Sequence, residues 1–485
     1  KAGRNITTGT QNTILGALAG DALTTGYSNV ALGFQSLSLD TLGARNVGIG
    51  QYALAAQNFT TATVSYNVGV GYSAGSGITT GTNNTLIGAL AGIATTDADG
   101  NIAVGSLALS ANTVGSSSVA IGYGALATQN PATATTMYNT AVGASAGTAV
   151  TTGIQNTIIG GLAGDALTTG QENVIVGYDA GGSLTDSDSN VAVGKAALSS
   201  DTLGAESVAI GKGALGVQNF TTATNTNNTA VGHLAGAAVT VGVNNVLIGS
   251  FTGDALTDAD HNTAVGRAAL SAETLGSKST ALGFQALAQQ NFTTATDTHN
   301  TAVGFNAGVS VSTGVQNTLI GGLAGDALTT SVNNIAIGYK ALTADTLGRK
   351  NVAIGVGALE DQNFTTSTDV YNVAIGDNAG ANVTTGINNT LIGGLAGDAL
   401  TDADYNTAVG FEALTTDVLG SRSVAIGFNA LTTQNFTSAT DTGNTAVGFN
   451  AGQQITTGTN NVLIGTEAGD AITDGNTNVA VGSRS

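Results

Sequence analysis

The chain contains no cysteine, no tryptophan and a single proline, Pro131. Without cysteine there is no disulfide scaffold and no thiol chemistry. With one proline and no shift in composition there is no linker, so the 485 residues read as one continuous body. Charge is scarce as well. Asp, Glu, Lys and Arg make up 9% of residues, against roughly 25% in ordinary globular proteins. The few charges are lopsided, with 12 basic and 31 acidic residues and a net charge of −19. That balance disfavours nucleic acid and anionic membrane surfaces, which both need basic patches. There is no signal peptide and no apolar run near the roughly 18 residues of a membrane-spanning helix, so the segment inserts in no membrane. Aromatic residues amount to only 5%.

What the chain has instead is a repeat. A pentapeptide of the form Asn-(Val/Thr)-(Ala/Leu)-(Ile/Val)-Gly recurs 27 times, from Gly16 to Gly482 when each copy is marked by its glycine. The step is 17 residues, as from Gly16 to Gly33, except for 21 after Gly50, Gly122, Gly211, Gly283, Gly355 and Gly427. A short fixed period means one unit stacked on itself. The spacing of apolar residues is two, not 3.6, and the 71 glycines argue against helices. The reading is an all-β solenoid of about 27 turns, each with two strands of about five residues. At about 4.8 Å per turn it would extend very roughly 130 Å.

In Asn351-Val352-Ala353-Ile354-Gly355, alternation sends Val352 and Ile354 to one face and Ala353 to the other. Position four is always Val, Ile or Leu and is expected to point into the coil. Position three, mostly Ala, is then expected to point outward. An outward apolar column needs a cover, and the simplest cover is an identical chain. Ala120, Ala209, Ala353 and Ala425 are the interface candidates on this reading. Gly at position five turns the corner, and the Ala three residues later fits just inside it. The opening Asn should stack as a ladder of side-chain amides.

A longer period overlies the short one. Four turn types follow in fixed order: Asn317 to Thr330 shows the first, a turn ending Asp345-Thr346-Leu347-Gly348 the second, the 21-residue turn with Gln362-Asn363-Phe364 the third, and Asn444 to Gly452 the fourth. The super-repeat is 72 residues, with one 89-residue unit between Gly122 and Gly211 whose extra turn is Asn173 to Ser189. The four added residues of the third type must leave the coil as a loop. Two readings stand for Phe59, Phe220, Phe292, Phe364 and Phe436 beside it: a plug under the loop, or a protruding contact for a sugar or protein receptor.

No catalytic constellation is present. His233, His261 and His299 do not read as equivalent positions of the repeat. Glycine-rich runs such as Gly160 to Gly164 have no following helix, so they fail as phosphate cradles. The pairs Asp97/Asp99, Asp258/Asp260 and Asp402/Asp404 are the only calcium candidates. They match no known calcium loop, and Ca²⁺ needs six to eight oxygens. Turn-forming Asp that caps its own backbone is the competing account, also for Asp40, Asp201, Asp345 and Asp417. No cofactor is expected. Arg45, Lys278, Lys350 and Arg422 share one position and are placed to bridge to Asp on adjacent turns or adjacent chains.

The repeat closely resembles the head repeat of trimeric autotransporter adhesins, with signature Asn-Ser-Val-Ala-Ile-Gly-x-x-Ser/Ala. It stands here as Ser118 to Gly122, Ser207 to Gly211 and Ser423 to Gly427. Repeats such as Asn300 to Ala307 also resemble those of tail-fibre proteins of environmental bacteriophages. The resemblance covers the whole chain. It implies a left-handed parallel β-roll and a side-by-side homotrimer. The sequence departs from the adhesin pattern in its longer, timed turns and its 72-residue super-period. Neck, stalk, membrane anchor and C-terminal chaperone are absent from it, and it starts and stops within the repeat, which reads as a segment of a longer polypeptide. The expected function is a non-enzymatic fibre shaft on a virion surface, supporting attachment to a host glycan or protein. The alternative is the head of a bacterial surface adhesin, also extracellular. A third reading, an ice- or carbohydrate-binding solenoid, would need a flat Thr-x-Thr face.

Overall fold

A computed structural model describes residues 1–485. The fold is an all-β parallel solenoid of about 28 turns of roughly 17 residues, with no helix. Two compact units are distinguished, Lys1–Asn244 and Asn245–Ser485. Each is built from the same coil. The first carries strands from Thr13–Leu15 to Thr229–Val231, and the second from Val246–Ile248 to Val479–Val481. Within each unit neighbouring turns pair in parallel and in strict register, as in Val174↔Val191 and Val352↔Val373.

Each pentapeptide supplies a strand of only three residues, such as Val352–Ile354. A second strand, of two residues, occurs only beside the 21-residue turns, as where Gly348–Arg349 pairs with Thr368–Asp369. The expected two five-residue strands per turn are therefore not formed. The chain must close a full circuit within roughly 17 residues, and it does so through left-handed residues. In the turn of Gly355, Leu359 has φ of 51° and Gly357 of 63°. These arcs still stack by backbone hydrogen bonds from turn to turn, as Leu359 N–H to Ala379 O at 3.1 Å. At the corner, Gly355 has φ of 138°, and a Cβ there would lie 2.2 Å from the carbonyl oxygen of Gly376 in the next turn. Only glycine fits.

The alternation runs in the opposite phase to the one expected from position four. Ala353, Ala120, Ala209 and Ala425 are all 0% exposed within the single chain, so they cannot form an interface. Val and Ile at positions two and four point outward. The interior is too narrow for two branched columns side by side. It takes the small residue of position three and the Asn of position one. Asn lies inside because its amide finds hydrogen-bond partners there. The backbone N–H of Asn351 donates to Asn334 Oδ1 at 3.0 Å, that of Asn334 to Asn317 Oδ1 at 3.0 Å, and Asn334 Nδ2 donates to Gly348 O at 3.0 Å. The expected amide ladder is thus present and buried.

Core volume is shared within each turn. First-type turns hold Leu or Ile at position three and, except at Thr95 and Ile472, Leu seven residues after the corner glycine, as Leu319 and Leu328, with Gly325 between. Second- and third-type turns place a buried left-handed Leu where Gly325 stands, as Leu342 and Leu359, and a polar residue where Leu328 stands. The Ala following each corner, such as Ala358, is fully buried as expected.

Candidate binding surface

The outward residues of the main strands form one stripe in each unit. Position two is Val, Ile or Thr in every strand, and position four is Val, Ile or Leu. No charged residue enters either column. In the first unit Ile87, Ile102, Ile121, Ile159 and Ile210 stand exposed there, and in the second Ile248, Ile320, Ile335, Ile426 and Ile464. The residue after the corner glycine borders these two columns and varies, with Lys195, Lys212, Arg267 and Asp377 among its members, but it also carries exposed rings, including Tyr72, Tyr123 and Tyr178 in the first unit. In the second unit Phe284 and Phe305 stack with centroids 5.4 Å apart, and Phe428 stacks on both Phe411 and Phe449 at 5.8 and 5.3 Å. Monomeric proteins rarely expose contiguous apolar patches beyond a few hundred Å². Sequence reasoning found the apolar column but put it one residue out of place.

The loop aromatics are not protruding contacts. Phe59, Phe220, Phe292, Phe364 and Phe436 are at most 7% exposed and plug the coil beneath the loop. Pro131 is buried at the same point. The added residues, such as Thr60, Thr61 and Ala62, are the exposed ones, and the chain returns through Thr63–Val64 to pair with Gly43–Ala44.

Two of the three acidic pairs accept hydrogen bonds from the preceding turn. Thr80 Oγ1 donates to Asp97 Oδ1 at 2.6 Å, and the Thr82 N–H to Asp99 Oδ1 at 2.6 Å. Thr385 Oγ1 and the Ile387 N–H do the same for Asp402 and Asp404. Asp258 and Asp260 are likewise not part of any group, since nowhere do three His, Cys, Asp or Glu side chains come together. The surface has no cavity.

His261 and His299 do occupy equivalent positions, five residues before a corner glycine, in one column with Lys278 between them. The unequal 17- and 21-residue steps disguise this. The same column holds Arg45, Lys350 and Arg422. Lys278 pairs with Asp297 at 2.5 Å, Lys350 with Asp369 at 2.7 Å and Arg422 with Asp441 at 3.0 Å, as the spacing suggested. These exposed pairs hold the Asp297 and Asp369 carboxyls below their ordinary range through the Lys partners. Exposed and screened by solvent, such pairs add little to stability. Arg45 donates instead to Tyr66 Oη at 2.6 Å. Many threonine hydroxyls donate to a carbonyl of the next turn, as Thr168 to Thr185 O at 3.1 Å, and others to a side chain there, as Thr113 to Asn130 Oδ1 at 2.6 Å. That is not a paired, flat Thr-x-Thr face.

One feature escaped sequence reading altogether. Asp345, Gln362 and Asn372, from three successive turns, form a buried chain of hydrogen bonds. Gln362 Nε2 donates to Asp345 Oδ2 at 2.6 Å, and Asn372 Nδ2 to Gln362 Oε1 at 2.9 Å. Asp345 also caps its own turn, accepting from the Gly348 N–H at 2.9 Å. The same chain joins Asp40, Gln57 and Asn67, then Asp201, Gln218 and Asn228, and then Asp417, Gln434 and Asn444. Glu273 replaces Asp before Gln290 and Asn300. Burial pushes the carboxyls of Asp40, Asp345 and Asp417 above their ordinary range, against the pull of their donors. The signal in the sequence was the pairing of an acid with a Gln one turn further on, as Asp345 with Gln362.

Neither protein-family models nor curated proteins match this chain.

Proposed function

We propose that the chain is the shaft of an extracellular fibre built from three copies, packed flank to flank as left-handed β-rolls. The observation that carries this is the uncharged apolar stripe at positions two and four. Each copy bears a net charge of −19, yet none of that charge enters the stripe. A long apolar face kept free of a repelling charge suits association with itself. The shaft is non-enzymatic and spaces a host-attachment tip from a virion. The clockwork super-repeat and the scarcity of Lys favour the virion. The head of a bacterial surface adhesin is the second reading, favoured by the Ser-Val-Ala-Ile-Gly copies such as Ser423 to Gly427.

Sedimentation equilibrium of the purified chain tests the assembly. The expected mass is three times the 47.2 kDa of one chain. Ile337→Lys, Ile354→Lys and Ile375→Lys together should yield folded monomers. A monomeric parent chain with the stripe open to a hydrophobic dye would refute the proposal. Gold-labelled antibody on native particles, seen by electron microscopy, separates virion from cell surface.

A further inference from the structure

A solenoid with a constant period has a problem of register. A slip of one residue turns every side chain to the wrong face, so alternation forbids it. A slip of one whole turn restores every apolar column, so alternation cannot forbid that. Looping out a whole turn is also cheap, because closure entropy grows slowly with loop length. Something else must specify which turn stacks on which.

We propose that the buried chain of second-, third- and fourth-type turns is the register key of the coil. Asp345, Gln362 and Asn372 are each 0% exposed. Their bonds are made only if the three turns follow one another directly. If the third-type turn were skipped, the Asp345 side chain would meet Val383, the buried residue at the matching place of the fourth-type turn. A buried carboxylate facing an apolar neighbour loses its donor, which the fold tolerates poorly. Single buried polar positions set register in coiled coils in the same way, at some cost in stability.

Two observations support this beyond the geometry. The Gln of the third-type turn stands in all six blocks, from Gln57 to Gln434, although its partner below varies among Asp, Asn112 and Glu273. Where Asn112 stands, Gln129 Nε2 bonds Ser118 Oγ at 3.0 Å instead and still accepts from Asn139 at 3.0 Å. Moreover, the one extra turn of the chain, Asn173 to Ser189, sits between a first-type and a second-type turn. It falls outside the keyed block and leaves Asp201, Gln218 and Asn228 consecutive.

The test copies that extra turn into the second unit of the full chain at two places. One copy goes before Asn334, outside the block; the other goes before Asn351, inside it. Because the chain has no cysteine, engineered pairs report stacking cleanly. Thr346→Cys with Asn363→Cys brackets the inside site, where the parent side chains lie 3.1 Å apart. Thr329→Cys with Thr346→Cys brackets the outside site. A stacked extra turn separates a bracketing pair to about 9–10 Å, beyond the roughly 7 Å that a disulfide spans. The outside copy should stack, abolishing its cross-link. The inside copy should be expelled as a loop, leaving its cross-link intact. Erasing the key with Asp345→Ala and Gln362→Ala should let the inside copy stack. An inside variant that loses β-sheet circular dichroism while the outside variant keeps it, and that recovers on erasure, counts the same way. Inside and outside copies that behave alike, whether stacked, expelled or unfolded, overturn the proposal. So does an erasure that changes nothing.

Discussion

The sharing of core volume within a turn makes a quantitative prediction at Ala353 and Leu359. Leu occupies position three only where the residue six further on is Gly, as Leu319 with Gly325 and Leu391 with Gly397. A Cβ on Gly325 would stand 2.8 Å from Leu319 Cδ2. Ala353→Leu therefore drives a new side chain into the space of Leu359, and overpacking of this kind costs about 1–3 kcal/mol. Leu359→Gly alone empties a fully buried site, at about 2–5 kcal/mol by the measure of large-to-small substitutions. Part of this is offset, because Leu359 sits at φ of 51°, where a non-glycine residue carries roughly 1–2 kcal/mol of strain. The double variant rebuilds the first-type pattern and should lie within about 1–2 kcal/mol of the parent. The coupling between the sites is then on the order of 2–4 kcal/mol. Long repeat arrays do not unfold in one step, so the assay is native-state hydrogen exchange. The reporter is the amide of residue 359, which bonds Ala379 O in the next turn. Additive losses, with coupling under about 0.5 kcal/mol, would refute the shared-volume account.

Three further outcomes are expected. Val370→Ser should stabilise the coil by about 1 kcal/mol, seen as slower exchange in that turn; Asn351 Oδ1 is buried without a partner, whereas Ser65 donates to Asn46 Oδ1 at 2.8 Å in the equivalent place. Stability should depend on pH through Asp40, Asp345 and Asp417, whose carboxyls titrate above the ordinary 3.8 in the folded chain because of burial. A raised folded value means that the folded state holds the proton more tightly, so the contribution of these three groups is fully present below pH 3.8 and is lost as pH rises through the raised values. Native-state hydrogen exchange in the turns around Asp345 should show the fall across that window, and Asp345→Asn should remove it there while leaving it around Asp40 and Asp417. Finally, EDTA should leave the denaturation midpoint unchanged, since the Asp402 and Asp404 carboxylates accept hydrogen bonds from Thr385 and the Ile387 N–H.

Period and class were legible because both follow from spacing alone. The glycine interval defines the turn, and the buried Asn ladder follows from an amide repeated at most turns, with Ser118, Ser207, Ser279 and Ser423 in its place at four of them. The Phe plug was legible as one of two readings, and the structure decides for burial. Strand length was not legible, because the left-handed residues that shorten it include Leu359, Lys350 and Tyr371, which carry no turn signal. The buried Asp345 to Asn372 chain was hidden for a different reason. Its members are 17 and 10 residues apart and meet only once turns of unequal length are stacked.

The phase of the alternation failed for a reason that bears on function. Hydrophobicity ranks Val352 and Ile354 above Ala353, and in a wide sandwich the larger pair would face the core. In a coil one turn wide, volume decides instead. The interior takes Ala353 and the amide of Asn351, and the branched residues are left outside. The Val and Ile of positions two and four thus lie on the surface, where a solitary chain gains little from them. Their constancy through all 27 strands, against the variety of the column that holds Tyr371, Lys350 and His299, is what an interface requires and a solvated face does not. The misplaced column and the proposed assembly are one inference: the oily side of this repeat is wasted unless another copy covers it.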